Sequence, residues 1–231
     1  MLILLIVLIV ISIIALRIKV EKRKPSFAEI KGLMGEQKVN DVLKQHNLIY
    51  FHDTLLKQGP VSSQFDHIIV FPNKTVVVIE TKDRNGIITG GANDEKWLQV
   101  AGNQNCYYFY NPIKQNIGHI NMLYNKMDEY HLYGYRILSL VVFTSDKSVL
   151  KDVPSGVIHL NDLSQTLSNI SGKSFFNRSK KFVHMLKRED FSRSKKEVRR
   201  HKEFAKRAPH HKKSNLLNGC FLFLFYFRIY N

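Results

Sequence analysis

Residues 76–82 read VVVIETK. Four β-branched residues in succession, in a run this short, predict a buried strand. The strand ends in Glu80 and Lys82, two charges that period-two geometry turns toward one face. A strand built for a core that finishes in paired charges points to a site at the open end of a sheet.

The segment before it, SQFDHIIVF (63–71), is a second strand, and Pro72 to Thr75 turns the chain between them, so the two form a hairpin. Residues opposite one another in an antiparallel pair share a face, so Asp66 joins Glu80 and Lys82 only when the connecting loop has an odd number of residues. With Asn73–Thr75 as the loop, Asp66 stands opposite Lys82; with Pro72–Lys74, it stands opposite Glu80. Both registers gather two carboxylates and one ammonium.

Close carboxylates raise each other's pKa unless a cation sits between them. Mg²⁺ suits such a pair: it takes a few carboxylate oxygens, keeps waters, and accepts phosphate oxygens in the remaining positions. The chemistry this supports is phosphodiester hydrolysis, with Lys82 positioning the attacking water or neutralising the phosphate. The same spacing also fits an ordinary cross-strand ion pair, which contributes little when exposed.

Other residues extend the pattern. Gly35 inside an otherwise helical stretch costs helix stability of roughly 1 kcal/mol and so marks close backbone packing, which would bring Glu36 to the carboxylates. Gln115 and His119 lie four apart, off the apolar stripe of a later helix, where Gln115 suits a water or phosphate contact and His119 a structural hydrogen bond. His67 should face away from Asp66 and be structural, and Trp97 should pack in the core.

Outward from the hairpin, SFAEIKGLMGEQKVNDVLKQHN (26–47) predicts a first helix, capped by Ser26, with Phe27, Ile30, Leu33, Met34, Val42 and Leu43 at helical spacing. LIYFHDTLL (48–56) is a strand. GIITGG and NCYYFY are candidate strands beyond the hairpin. NPIKQNIGHINMLYNKM (111–127) is a helix with Asn111 as cap and Pro112 in its first turn. RILSLVVFT and GVIHL are strands, and 163–170 a helix. The order predicts a mixed α/β (α+β) domain.

The formal net charge is +16, and it is unevenly placed. Residues 173–213 carry sixteen Lys and Arg against four acids, residues 17–24 five against one, and residues 25–172 thirteen against fourteen. A nearly neutral domain thus lies between basic flanks. From Lys173 onward a solvated helix or disordered arm is expected, and the final CFLFLFYFRIYN could pack on the domain, touch a membrane or aggregate. Two cysteines without a CxxC pair exclude a disulfide framework and a cysteine-rich zinc site, and Walker and Rossmann glycine spacings are absent.

The first sixteen residues, MLILLIVLIVISIIAL, contain no charge, and bases follow rather than precede them. This predicts an uncleaved single-pass anchor over residues 1–18, a basic juxtamembrane linker over 19–30, and a cytoplasmic remainder.

The motifs GLMGEQKV, SSQFDHIIV, VVVIETKDRNGII, the Trp97 region and NPIKQNIGHINML, in this order within residues 31–131, resemble the nuclease-related domain (NERD), which is similar to the PD-(D/E)xK nuclease superfamily. The resemblance implies a restriction-endonuclease-like αβββαβ core within a domain spanning 31–172, followed by a basic arm over 173–231. It implies metal-binding roles for Asp66, Glu80 and Glu36, catalytic roles for these and Lys82, and an accessory role for Gln115, with Mg²⁺ or Mn²⁺ as the ion. Phe65 stands where the superfamily has proline. The expected function is therefore a membrane-anchored, divalent-metal-dependent nuclease acting on DNA or RNA, with the basic arm collecting the polyanion or contacting anionic lipid. The alternative is a non-catalytic membrane-tethered scaffold that binds nucleic acid or anionic lipid.

Overall fold

The structure, a computed structural model, describes residues 7–9, 25–102, 105–170 and 179–207. The chain folds as a mixed α/β protein with two mixed sheets. Helix α1 (Phe27–Gln45) leads into strands β1 (Ile49–Gln58), β2 (Val61–Val70) and β3 (Thr75–Lys82). Three short strands follow, β4 (Gly86–Thr89), β5 (Lys96–Ala101) and β6 (Asn105–Tyr110), then helix α2 (Pro112–Glu129) and strand β7 (Arg136–Phe143). Strands β8 (Ser148–Leu150) and β9 (Val157–His159) precede helices α3 (Leu160–Ile170), α4 (Lys180–Glu189) and α5 (Lys195–Arg207).

The main sheet has the order β1-β2-β3-β7-β9, antiparallel through β1-β2-β3 and parallel from β3 to β7 and β9. Strand β3 is central, which explains its unbroken apolar run. Val76 and Val78 enter a core cluster with Ile120 and Leu123 of α2, while Val77 and Ile79 enter another with Val39 and Leu43 of α1 and Leu163 and Leu167 of α3. A strand covered on both faces has no position for a polar residue until the sheet runs out. The second sheet, β6-β5-β4-β8, packs Ile88, Trp97 and Phe109 against Val141, Phe143 and Val157 of the main sheet.

Both leading helices start as their sequences predict. Ser26 and Glu29 form a reciprocal capping box on α1, with hydrogen bonds of 2.7 and 3.2 Å. Asn111 caps α2 by accepting from Ile113 N–H at 2.9 Å, and its amide donates to the carbonyls of Gly91, Ala92 and Asp94. The N-terminus of α2 is thereby tied to the β4–β5 connection.

Two expectations differ from the structure. The apolar residues of the first turns of α1 are not core residues: Phe27, Ile30, Leu33 and Met34 are all exposed, Phe27 by 82%. The cause is the length of the sheet, for Gly35 packs at the ends of β3 and β7, and the eight residues before it overhang those ends by about 12 Å. Nor is the basic region after residue 173 wholly a solvated arm. Helix α4 buries Phe182, Met185 and Leu186 in the cluster that holds Val76 and Val78. Its apolar stripe spans little more than one turn and is hidden in the sequence by the bases around it.

The expected anchor over residues 1–18 lies outside the described residues except for Val7–Ile9, which are helical, and the terminal aromatic segment lies outside them entirely. No helix among the described residues is long and apolar enough to cross a membrane.

Candidate active site

The ladder between β2 and β3 runs from Val70 opposite Val76 to His67 opposite Ile79, and Phe71 N–H closes the turn on Thr75 C=O at 2.8 Å. The loop is therefore Pro72–Lys74, and the register continues to place Asp66 opposite Glu80. At that point the ladder gives way to a side-chain contact, in which Thr81 N–H donates to Asp66 Oδ2 at 2.7 Å.

Glu80 is 1% exposed and engaged through both oxygens. Lys82 Nζ donates to its Oε1 at 2.6 Å, and His119 Nε2 lies 3.2 Å from its Oε2. The Lys82 ammonium also donates to Gln115 Oε1 at 3.0 Å, and His119 Nδ1 meets Ser63 Oγ at 2.6 Å. Gln115 and His119, one helical turn apart on α2, thus grip the two ends of one ion pair. Asn116 between them is fully buried, and its amide donates to Val78 C=O and Ser139 Oγ, both at 2.9 Å, which pins α2 over β3 and β7.

Glu36 arrives from the other side. A Cβ on Gly35 would lie 2.7 Å from Thr144 Oγ1 and 3.1 Å from Asp83 Cβ, so only glycine lets α1 come this close to the strand ends. Lys31 on the same helix pairs with Asp83 at 3.4 Å.

The electrostatics are those of crowded acids. Burial, together with the charges of Asp53 and Glu80, pushes the Glu36 carboxyl up to about 7 despite Lys82. Asp66 is raised well above the carboxylate range by burial and by Glu80 and Glu36. Burial also pushes Glu80 upward, but Lys82 and His119 outweigh it and hold Glu80 ionised below its usual value. The stable state of the cluster is one Glu80–Lys82 ion pair flanked by two acids that resist ionisation.

The structure thus brings Asp66, Glu80, Lys82 and Gln115 together, with Glu36 within electrostatic reach. His67 lies elsewhere, as expected: its Nε2 is 3.2 Å from Asn40 Oδ1 of α1, and burial pushes it down to about 3, so it is neutral. Trp97 is a core residue. Three participants went unforeseen. Asp53, in a left-handed turn of β1 at φ 50°, hydrogen-bonds Gln64 and raises Glu36, and its only sequence signal is an acid interrupting an apolar strand. Ser63 and Asn116 carry no local signal, because their partners are distant in the chain. Among the described residues no three His, Cys, Asp or Glu side chains are grouped so as to hold a metal ion.

The fold and site define a mixed α/β domain with a carboxylate–lysine cluster at the open end of its central sheet. Residues 31–144 match the family model of the nuclease-related domain, NERD, so this segment of the chain is similar to that family. Searches among curated proteins and solved structures match nothing.

Proposed function

We propose that this chain is a divalent-metal-dependent phosphodiester hydrolase acting on DNA or RNA, with a restriction-endonuclease-like core formed by α1, β1–β3, α2 and β7. The observation that carries the reading is the repulsion among Glu36, Asp66 and Glu80 inside a nuclease-related domain. Acids that resist ionisation next to one another are relieved by a hard cation, and a set of carboxylate oxygens fits Mg²⁺ or Mn²⁺. Asp66, Glu80 and Glu36 would hold it. When bound, such an ion supplies positive charge to the phosphate and acidifies a water.

The protein's own groups have distinct tasks. Two of the three Lys82 N–H donors are directed to Glu80 and Gln115, leaving one for the phosphate or the attacking water. Gln115 orients that ammonium. His119, braced by Ser63, fixes the second oxygen of Glu80. Attack of water at phosphorus breaks a P–O bond, and the leaving oxygen takes up a proton.

The apolar run and its following bases support anchoring of residues 1–18 in a membrane with the domain on the cytoplasmic side. The exposed apolar turns of α1, which begin within the basic linker, are compatible with a position near that surface.

A second reading has its own support: with both oxygens of Glu80 engaged and no trio of ligands grouped, the cluster would serve as a structural ion pair in a non-catalytic scaffold. Incubating the full chain with labelled DNA and RNA in Mg²⁺, Mn²⁺ or EDTA, beside Asp66→Asn and Lys82→Ala, separates the two. Metal-dependent cleavage lost in both variants is expected; binding without cleavage under every condition would establish the scaffold.

A further inference from the structure

Between the end of β3 at Lys82 and the start of β4 at Gly86 the chain carries one more cation. Asp83 turns to Lys31 on α1, and Arg84, two residues past Lys82, turns to the second sheet. Its guanidinium stacks 4.1 Å over the Phe109 ring, and its Nη1 donates to Gln99 Oε1 at 2.7 Å. Gln99 is itself 6% exposed, and its amide nitrogen donates to Asn85 C=O at 2.8 Å, so its oxygen is committed to Arg84. Among the described residues no carboxylate pairs with this guanidinium. A half-buried cation that is oriented by a buried amide and an aromatic ring, yet left without a counter-charge, is prepared for an anion from outside.

The anion has neighbours suited to it. Tyr107 stands opposite Gln99 in the β5–β6 ladder and two residues before Phe109, so all three share a face, and Tyr107 is 50% exposed. A planar guanidinium beside an accessible ring matches a phosphate joined to an unstacked base. Two residues of chain reach at most about 7 Å, the scale of the phosphate-to-phosphate step of an extended nucleic-acid strand.

We propose that Arg84, held by Phe109 and Gln99, binds the phosphate next to the one that is cut, and that Tyr107 stacks the attached base, so that the substrate segment entering along the second sheet is single-stranded. This rests on the nuclease reading and assigns its substrate class.

The test is a titration of the full chain, in EDTA to prevent turnover, with fluorescently labelled single-stranded and duplex oligonucleotides at several salt concentrations. The single strand should bind more tightly. Arg84→Ala should weaken that binding about tenfold and reduce the salt slope by about one ion, whereas Tyr107→Ala should weaken it similarly with the slope unchanged. Arg84→Lys keeps the charge without the fork and should recover part of the loss, and Tyr107→Phe nearly all of it. Thermal unfolding of each variant separates a binding defect from a folding one. Metal-dependent cleavage by the wild type with unaltered binding in these variants, or equal affinity for duplex, overturns this inference alone. A wild type that neither binds nor cleaves nucleic acid overturns the nuclease reading with it.

Discussion

Gly35 and Thr144 touch so closely that a Cβ on the glycine would lie 2.7 Å from the threonine hydroxyl, and that hydroxyl is buried without a hydrogen-bond partner. The crossing of α1 over the strand ends is therefore set by a contact with no slack. Gly35→Ala should lower stability by about 1–2 kcal/mol, the overpacking exceeding what alanine returns in helix propensity. Thr144→Ala, which removes the obstructing oxygen and an unsatisfied polar atom together, should restore the loss in the double variant. Chemical denaturation of the four proteins in the cycle measures the coupling.

Lys82→Ala should cost more than an exposed ion pair would, because it leaves Glu80 buried with His119 as its remaining close partner. At pH 8 the expected loss is about 3 kcal/mol. Without Lys82, burial raises the Glu80 pKa in the folded state, and a raised acid is stabilising below its unfolded value and loses that contribution as pH rises. The cost should accordingly shrink toward pH 4, which urea titrations across that range would reveal.

Glu36 is raised to about 7 in the folded state, against an ordinary value of 4.5. The native protein thus binds the extra proton between those limits, and stability attributable to Glu36 is present below about pH 4.5 and gone above about 7. Glu36→Gln should match the wild type at pH 4 and exceed it at pH 8 by on the order of 1 kcal/mol, since solvent screening of a partly open carboxyl trims the effect. Equal stability at both pH values would refute the crowding of these acids.

Cations and protons compete for the same oxygens, so Mg²⁺ or Mn²⁺ should raise the melting temperature of the full chain more at pH 8 than at pH 5.5. The increment should vanish in Asp66→Asn. A shift independent of both pH and Asp66 would place any bound ion elsewhere.

Phe182→Ala should destabilise the whole fold by about 3–4 kcal/mol, since the ring is fully buried and packs against Tyr135 at 5.0 Å between centroids. A solvent-exposed arm would give no measurable change, so a single cooperative transition at lower denaturant is the expected result.

What the sequence made legible divides along the same lines as these tests. The β2–β3 turn could be read from Pro72 and its neighbours, but the odd loop that brings Asp66 onto the face of Glu80 stood only as a condition until the register met it. Which odd loop forms could not be read either, because both preserve that face; Lys74 with φ 64° and the Phe71–Thr75 bond decide it. Glu36 was legible through Gly35, a glycine in a helix that the helix itself does not need. The grip of α2 on the ion pair was half legible, through the spacing of Gln115 and His119. Of the second sheet, β4 and β6 were legible in GIITGG and NCYYFY, but its assembly was not, since its β8 strand has three residues and pairs with β4 some sixty positions earlier. Patterns of three residues carry no period, and long-range pairing leaves no local trace.

The nuclease-related segment ends at residue 144, but the hydrophobic clusters on both faces of its sheet are completed by residues after that point. Leu163 and Leu167 close one side; Phe182, Met185 and Leu186 close the other. The segment that matches the family and the unit that folds are consequently different lengths of chain. A chain cut at residue 144 would keep α1 and α2 on the two faces of the sheet but would expose to water the apolar surface that the later residues cover on each.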